Sequence, residues 1–382
     1  MVFFLMYYKK VMSKKNFIYL YIIFLFYVQV NSAHLIENIK IIQNELILDV
    51  VSSNILVSVF DKDYNFINSA YSVNSSLKIA LKNDQLENLK IISVKIPEKL
   101  SFEKFGSSGV TQGQFRKPCG VFIDYFNKIY VCDKDNNRIQ VFDPNRIFSF
   151  EFGNFGWSTS INEIKGQFNK PSDIVVNRFI YVCDTENHRV AKFSIDGSFL
   201  SSWGGNGLEN GKFNFPKGIE FDFSGDIYVA DTENDRIQKF DSNGNFILSI
   251  GSYGRSVKQF NRPNDIAVDR EYNIFVADTK NNRIQMFDRF GGFKKFFKFG
   301  EKFLKSPESI AVIGNVVAVG SERNSTLYMS DRNDNFNKQF KLDFRPSKMS
   351  FVNSNQEIIL YITSTKDNCI YYTEFEKDER SI

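Results

Sequence analysis

Four stretches of this chain are copies of one another. They are Tyr130–Phe142 (YVCDKDNNRIQVF), Tyr181–Phe193 (YVCDTENHRVAKF), Tyr228–Phe240 (YVADTENDRIQKF) and Phe275–Phe287 (FVADTKNNRIQMF). The leading Asp falls at 133, 184, 231 and 278, giving spacings of 51, 47 and 47 residues. Such a period constrains a fold strongly, because every copy must form the same supersecondary unit and bury its faces against the next copy.

The rest of each unit recurs as well. A Phe stands three residues before a Pro at Phe115/Pro118, Phe168/Pro171, Phe213/Pro216 and Phe260/Pro263. An alternating apolar stretch follows the Pro, then a turn, the Tyr-Val-Ala-Asp strand, an Asn-containing loop, the Arg-Ile-Gln-x-Phe strand and a last strand ending in Gly. Short period-2 runs parted by Gly, Asn and Asp are antiparallel strands, and four of them per unit make a propeller blade. The fold class is therefore all-β, a β-propeller of four-stranded antiparallel blades. Pro307 opens a decayed fifth unit and Pro346 a sixth, which lacks a fourth strand; Lys99–Phe105 has the form to supply it and close the ring. Six blades are favoured, with seven or eight if residues 34–97 form extra ones. The expected organisation is a signal peptide over 1–33, degenerate repeats or a β extension over 34–97, and the propeller over 98–382.

The Asp-Thr-x-Asn-x-Arg-Ile-Gln-x-Phe units resemble NHL repeats, in the style of the propellers of tripartite-motif ubiquitin ligases and Brat-like translational repressors. The resemblance covers about 105–374. It implies a recognition module for protein or RNA. The Cys and His spacing offers no RING or B-box, and no heptad pattern marks a coiled coil.

A residue present in every unit reads as scaffold. Asp133/Arg138, Asp184/Arg189, Asp231/Arg236 and Asp278/Arg283 flank a short loop and stand within pairing reach. Asn136, Asn187, Asn234 and Asn281 suit its tight turn. Function then belongs to positions that vary. The pairs after five prolines (Cys119-Gly120, Ser172-Asp173, Lys217-Gly218, Asn264-Asp265 and Glu308-Ser309) are expected at the channel mouth. The candidate ligand face comprises Arg116, Lys117, Trp157, Lys170, Asp173, Lys217, Lys258, Arg262 and Asp265. Its mixed charge disfavours a phosphate backbone, and a net charge of +4 falls short of a dedicated nucleic-acid binder. The basic residues Arg116, Lys117, Lys170, Lys258 and Arg262 keep an RNA reading open.

Only two His, His34 and His188, occur in 382 residues, too few for the His-based zinc site of the propeller lyases. No catalytic residue, metal or cofactor is expected, although Asp173 and Asp265 could together attract Ca²⁺. Cys119 lies one hairpin from Cys132, which leaves a disulfide between them as one reading and free thiols as the other. Sequons stand at Asn74 and Asn324. Lys14-Lys15, the apolar run Phe17–Val30 and the small residues to Ala33 read as a secretory leader, with no other segment of spanning length. The expectation is a secreted, monomeric, non-enzymatic propeller that binds a protein; the alternative is a cytoplasmic module binding RNA or a protein substrate.

Overall fold

The structure is a computed structural model. It describes residues 36–42, 45–50, 55–60, 66–72, 76–80, 90–157, 165–297, 299, 304–332, 337–353 and 357–381. The leader, Ser158–Ile161 and Asn74 lie outside the described residues.

Five consecutive sheets have four antiparallel strands each, joined in chain order. Their first strands are Pro118–Ile123, Pro171–Val176, Pro216–Phe221, Pro263–Val268 and Ser309–Ile313. These innermost strands are neighbours in sequence around the axis, and Met349–Asn353 stands between the fifth and the first to complete the ring. The sheet of Met349–Asn353 departs from the expected sixth regular blade. It has seven strands. Its third strand, Cys369–Ser381, is too long to stop at a blade's rim. One end pairs with Glu103–Phe105, in the register Ile370↔Phe105. The other pairs with Lys90–Lys95, which continues into Ile55–Phe60 and Phe66–Ser72. Ile36–Ile42, Glu45–Val50 and Ser76–Ala80 form a separate three-stranded sheet. Among the described residues, 34–97 thus contributes no four-stranded blade of its own, against the seven- or eight-blade alternatives; this stretch has no Pro before Pro97 and no Arg to form the Asp–Arg pair that organises the others.

The core lies between blades. One cluster joins Tyr130, Ile139 and Val141 of blade 1 to Ile174, Val182 and Phe193 of blade 2. Two periodic Phe series meet in each regular repeat. Phe168 and Phe193 rings lie 5.3 Å apart, Phe213 and Phe240 5.4 Å, Phe260 and Phe287 5.8 Å, and the Phe of all three pairs are fully buried. Each buried ring contributes roughly 1.5–3 kcal/mol. The glycine ending each fourth strand makes room for them. Gly153, Gly204 and Gly251 have φ of 90°, 120° and 100°, and a Cβ there would fall 2.3–2.6 Å from the ring of Phe168, Phe213 or Phe260. Among the described residues no helix is long and apolar enough to cross a membrane.

Candidate functional site

The repeated Asp is a hub. Asp184 Oδ2 accepts from Arg189 Nε and Asn187 Nδ2, each at 2.8 Å, while its Oδ1 accepts from the backbone N–H of Asn169 at 2.7 Å in the loop entering blade 2. Asp133, Asp231 and Asp278 repeat the arrangement with Arg138, Arg236 and Arg283 and with Asn136, Asn234 and Asn281. Arg189 then donates to the carbonyl of Gln167, tying the incoming loop to its blade. The Asn side chains serve as donors within a 3₁₀ turn. The left-handed position expected of them belongs to the next residue: Asn137, His188, Asp235 and Asn282, at φ of 51–56°.

Those left-handed residues build a latch to the following blade. The residue preceding the Pro of each of the first five units also adopts positive φ: 52° at Lys117, 53° at Lys170, 51° at Phe215, 54° at Arg262 and 46° at Ser306. This conformation costs a non-glycine residue about 1–2 kcal/mol. The side chain of the preceding blade's left-handed residue holds it. Lys170 N–H donates to Asn137 Oδ1 (2.8 Å), Phe215 N–H to His188 Nδ1 (3.1 Å), Arg262 N–H to Asp235 Oδ1 (2.6 Å) and Ser306 N–H to Asn282 Oδ1 (2.8 Å). Asn368 does the same for Lys117 across the ring closure, at 2.7 Å. His188 is therefore a structural acceptor, and its burial lowers its pKa.

The latch leaves Lys117, Lys170 and Arg262 exposed on the proline end. Lys117 pairs with Asp135 at 2.8 Å and Lys170 with Glu186 at 3.9 Å, each in its own blade's 3₁₀ turn, whereas Arg262 pairs with Glu233 in the turn of the preceding blade. Arg116, Lys117, Asp135, Phe155, Lys170 and Lys366 line a groove of about 750 Å³ where blades 1 and 2 meet the seven-stranded sheet. Phe155 is 62% exposed and Trp157 63%. Lys258 is exposed on the loop into blade 4. Lys217 lies deeper, 3.1 Å from Asn264 Oδ1, and burial brings its ammonium down to about 8.

Asp173 and Asp265 are not on this face. They point into the channel, where Lys348 Nζ reaches Asp173 Oδ2 at 2.7 Å and Asp265 Oδ1 at 2.5 Å; all three are buried. Going round the ring, the second residue after each Pro is Gly120, Asp173, Gly218, Asp265, Ser309 and Lys348. The small residues leave room for their neighbours. A Cβ on Gly120 would fall 2.6 Å from Asp173 Cα, and one on Gly218 2.8 Å from Asp265 Cα. Each Asp also reaches forward: Asp173 Oδ2 accepts from Ile219 N–H at 3.0 Å, and Asp265 Oδ2 from Ile310 N–H at 2.9 Å. The sixth proline pair, Ser347-Lys348, is absent from the five read in the sequence, yet it supplies the counter-charge; two acids in a ring of apolar strands were the signal for it.

Burial alone would lower the Lys348 pKa, but the two carboxylates outweigh it and raise it. Desolvation lifts Asp265 to about 6 against the pull of Lys348. Glu220, half-buried, lines the same channel space, and desolvation lifts it to about 8. The cavity around these groups holds about 150 Å³. Beyond it, Phe122 and Phe221 of the non-adjacent blades 1 and 3 approach to 5.9 Å. The Lys348 ammonium occupies the place between Asp173 and Asp265 that Ca²⁺ would need, and no cluster of three His, Cys, Asp or Glu suited to a metal occurs among the described residues.

All four cysteines are free and buried, which decides the Cys119–Cys132 question for thiols. Cys119 Sγ donates to the Pro171 carbonyl at 3.1 Å, with a longer 3.8 Å contact to the Cys132 carbonyl. Desolvation raises Cys119 to about 12 and puts Cys132 and Cys183 well above the usual thiol range, so none of these is a ready nucleophile.

Inner strands around a pinned axis, with blades latched through a repeated Asp–Arg–Asn hub, define an antiparallel β-propeller. A profile of the NHL repeat matches residues 168–193, 213–240 and 260–287, so the chain carries NHL repeats over those segments. Protein brain tumor of Drosophila melanogaster is 32% identical over 126 residues, covering 32% of this chain and 11% of that protein. The B-box type zinc finger protein ncl-1 of Caenorhabditis elegans is 29% identical over 122 residues, covering 32% and 14%. The match thus spans little more than a tenth of these relatives' length. The virginiamycin B lyase of Staphylococcus aureus shares the fold, with a TM-score of 0.51, 10% identity, and coverage of 73% of this chain and 99% of the lyase.

Proposed function

We propose that this chain is a non-enzymatic, monomeric recognition propeller that binds a protein partner over its proline end, within the secretory pathway. The pinned channel carries the reading. Lys348 ties up Asp173 and Asp265, so the polar groups on the axis serve each other and not a substrate. What remains accessible is a rigid face, with a groove bordered by Phe155 and by the cations Arg116, Lys117, Lys170 and Lys366. Rigid loops that present aromatic and basic side chains suit partner binding. The secretory assignment rests on Lys14-Lys15 and the apolar run after it, and the mature N-terminus of the expressed protein tests it.

Lysine-directed crosslinking in the native cell tests the binding face. Crosslinks to one protein, concentrated at Lys117, Lys170 and Lys366, support the reading; crosslinks spread evenly over the surface refute it. RNA is the second reading, favoured by the same four cations. It requires groove-dependent binding of a single-stranded RNA that weakens steeply with salt.

A further inference from the structure

On the proline end, the middle residue of the 3₁₀ turn changes sign part-way round the ring. Blades 1 to 3 carry Asp135, Glu186 and Glu233 there, whereas blade 4 carries Lys280. In the fifth unit Arg323 takes the same place, one residue before Asn324, whose Nδ2 donates to Ser321 Oγ at 3.0 Å where the other blades have the Asp. The reversal ends the pairing of turn acids with proline-end cations. Lys117 and Lys170 meet the acid of their own turn, and Arg262 reaches back to Glu233. Lys280 and Arg323 are exposed, and among the described residues neither makes an ion pair.

Both line a pocket of about 170 Å³ between blades 3, 4 and 5, together with Lys217, Arg262, Asn264 and Glu308. Lys217 is half-buried, and its ammonium has one hydrogen-bond acceptor among the described residues, Asn264 Oδ1 at 3.1 Å. Asn264 is held in that orientation by donating its Nδ2 to the Glu308 carbonyl at 2.7 Å. Burial and the neighbouring Arg262 and Lys134 make the Lys217 charge costly to keep, and an anion beside it would offset that cost. Glu308 is turned to its own loop: Oε1 accepts from Ser306 Oγ at 2.6 Å and Oε2 from the Glu322 N–H at 2.7 Å. Lys217, Arg262, Lys280 and Arg323 against Glu233 and Glu308 leave an excess of two positive charges at one small cavity. A phosphate monoester brings about two negative charges and three acceptor oxygens to a single centre. A phosphodiester brings one charge per group and calls for a track of cations.

We infer that Lys217, Lys280 and Arg323 form an anion site at the channel mouth that takes the phosphate of a phosphomonoester. The planar fork of Arg323 can grip two of its oxygens, while Lys217 and Lys280 act as point charges. The site is separate from the groove at blades 1 and 2 and does not depend on a protein partner binding there.

Calorimetric titration of the full chain with inorganic phosphate, at about 0.1 M salt to screen distant charges, tests it. Saturable binding to one site is expected. K217M and K280E should each weaken it at least about tenfold, and K280E/R323E should abolish it while keeping the native urea midpoint. R345E, exposed on the same face but outside the pocket, should bind phosphate as the native chain does. Acetic anhydride labelling read by mass spectrometry locates the site: saturating phosphate should slow modification of Lys217 and leave Lys170 unchanged. A phosphoserine peptide that binds at least about tenfold more tightly than inorganic phosphate assigns the group to a protein chain, and equal affinity assigns it to a small phosphomonoester. The inference is overturned if phosphate binding does not saturate, if K280E/R323E binds as the native chain does, or if phosphate leaves the labelling of Lys217 unchanged. It is overturned as well if an oligouridylate with hydroxyl ends, which offers phosphodiesters alone, displaces the phosphate.

Discussion

Replacing Lys348 with Met removes the one cation between two buried carboxylates. In the native channel the ammonium lies 2.5 Å and 2.7 Å from its partners, and each attraction is worth about 6 kcal/mol gross at an effective dielectric of 20. Desolvation of the three groups and repulsion between the two acids take back most of that, and removing one member of such a buried set costs about 3–5 kcal/mol net. The cost has a pH signature. Desolvation already holds the Asp265 carboxyl at about 6, above its unfolded value near 3.9. The folded state thus binds more protons than the unfolded state between those values, and this group's contribution falls as pH rises through them. Without Lys348 the carboxyl rises further and the window extends to higher pH. Urea unfolding at pH 8 and pH 5 reads this directly. K348M should lose about 3–5 kcal/mol relative to the native chain at pH 8 and clearly less at pH 5, and D173N/D265N/K348M should recover most of the loss. A K348M deficit below about 1 kcal/mol, or one unchanged between the two pH values, refutes the idea that the axis is held electrostatically.

Three further outcomes are expected. Phe215 N–H donates to a neutral His188 ring whose pKa burial has lowered; stability should therefore fall as pH drops below about 6.5, and H188N, the residue that stands at positions 137 and 282, should flatten that slope in urea titrations. G251A puts a methyl 2.3 Å from the Phe260 ring at a φ of 100° and should cost about 2–4 kcal/mol, read from the urea midpoint. Iodoacetamide should leave all four thiols unmodified in the native chain and alkylate all four in denaturant, counted by intact mass.

Much of the ring was legible because its signals are local. The Asp–Arg–Asn hub, the paired Phe and the strand-ending Gly each lie within one repeat, and all recur in chain order. The left-handed residue before the Pro of the first five units carries no sequence signal because its side chain varies: Lys117, Lys170, Phe215, Arg262 and Ser306 share a conformation, not a residue type. That conformation is imposed by a side chain from the previous blade. The inward turn of Asp173 and Asp265 is not legible in the sequence, because it depends on the space left by Gly120 and Gly218 of neighbouring blades. The merger of the last blade into a seven-stranded sheet depends on how far Cys369–Ser381 runs, and its alternating pattern carries no stop within that span.

The pairing of Phe105 with Ile370 joins residues 265 positions apart. At synthesis rates of about 5–20 residues per second, the early strand waits roughly 15–50 s before its partner exists. Blades 1 to 5 can be built as the chain emerges, while the last sheet must be assembled from both extremities of the ring once Cys369–Ser381 has been made. This long-range step raises contact order and should be the slowest in forming the ring. Until it occurs, the hydrogen-bonding edge of Cys369–Ser381 lacks its neighbour, and that interval is when the chain is most open to capture by a chaperone or by another copy of itself.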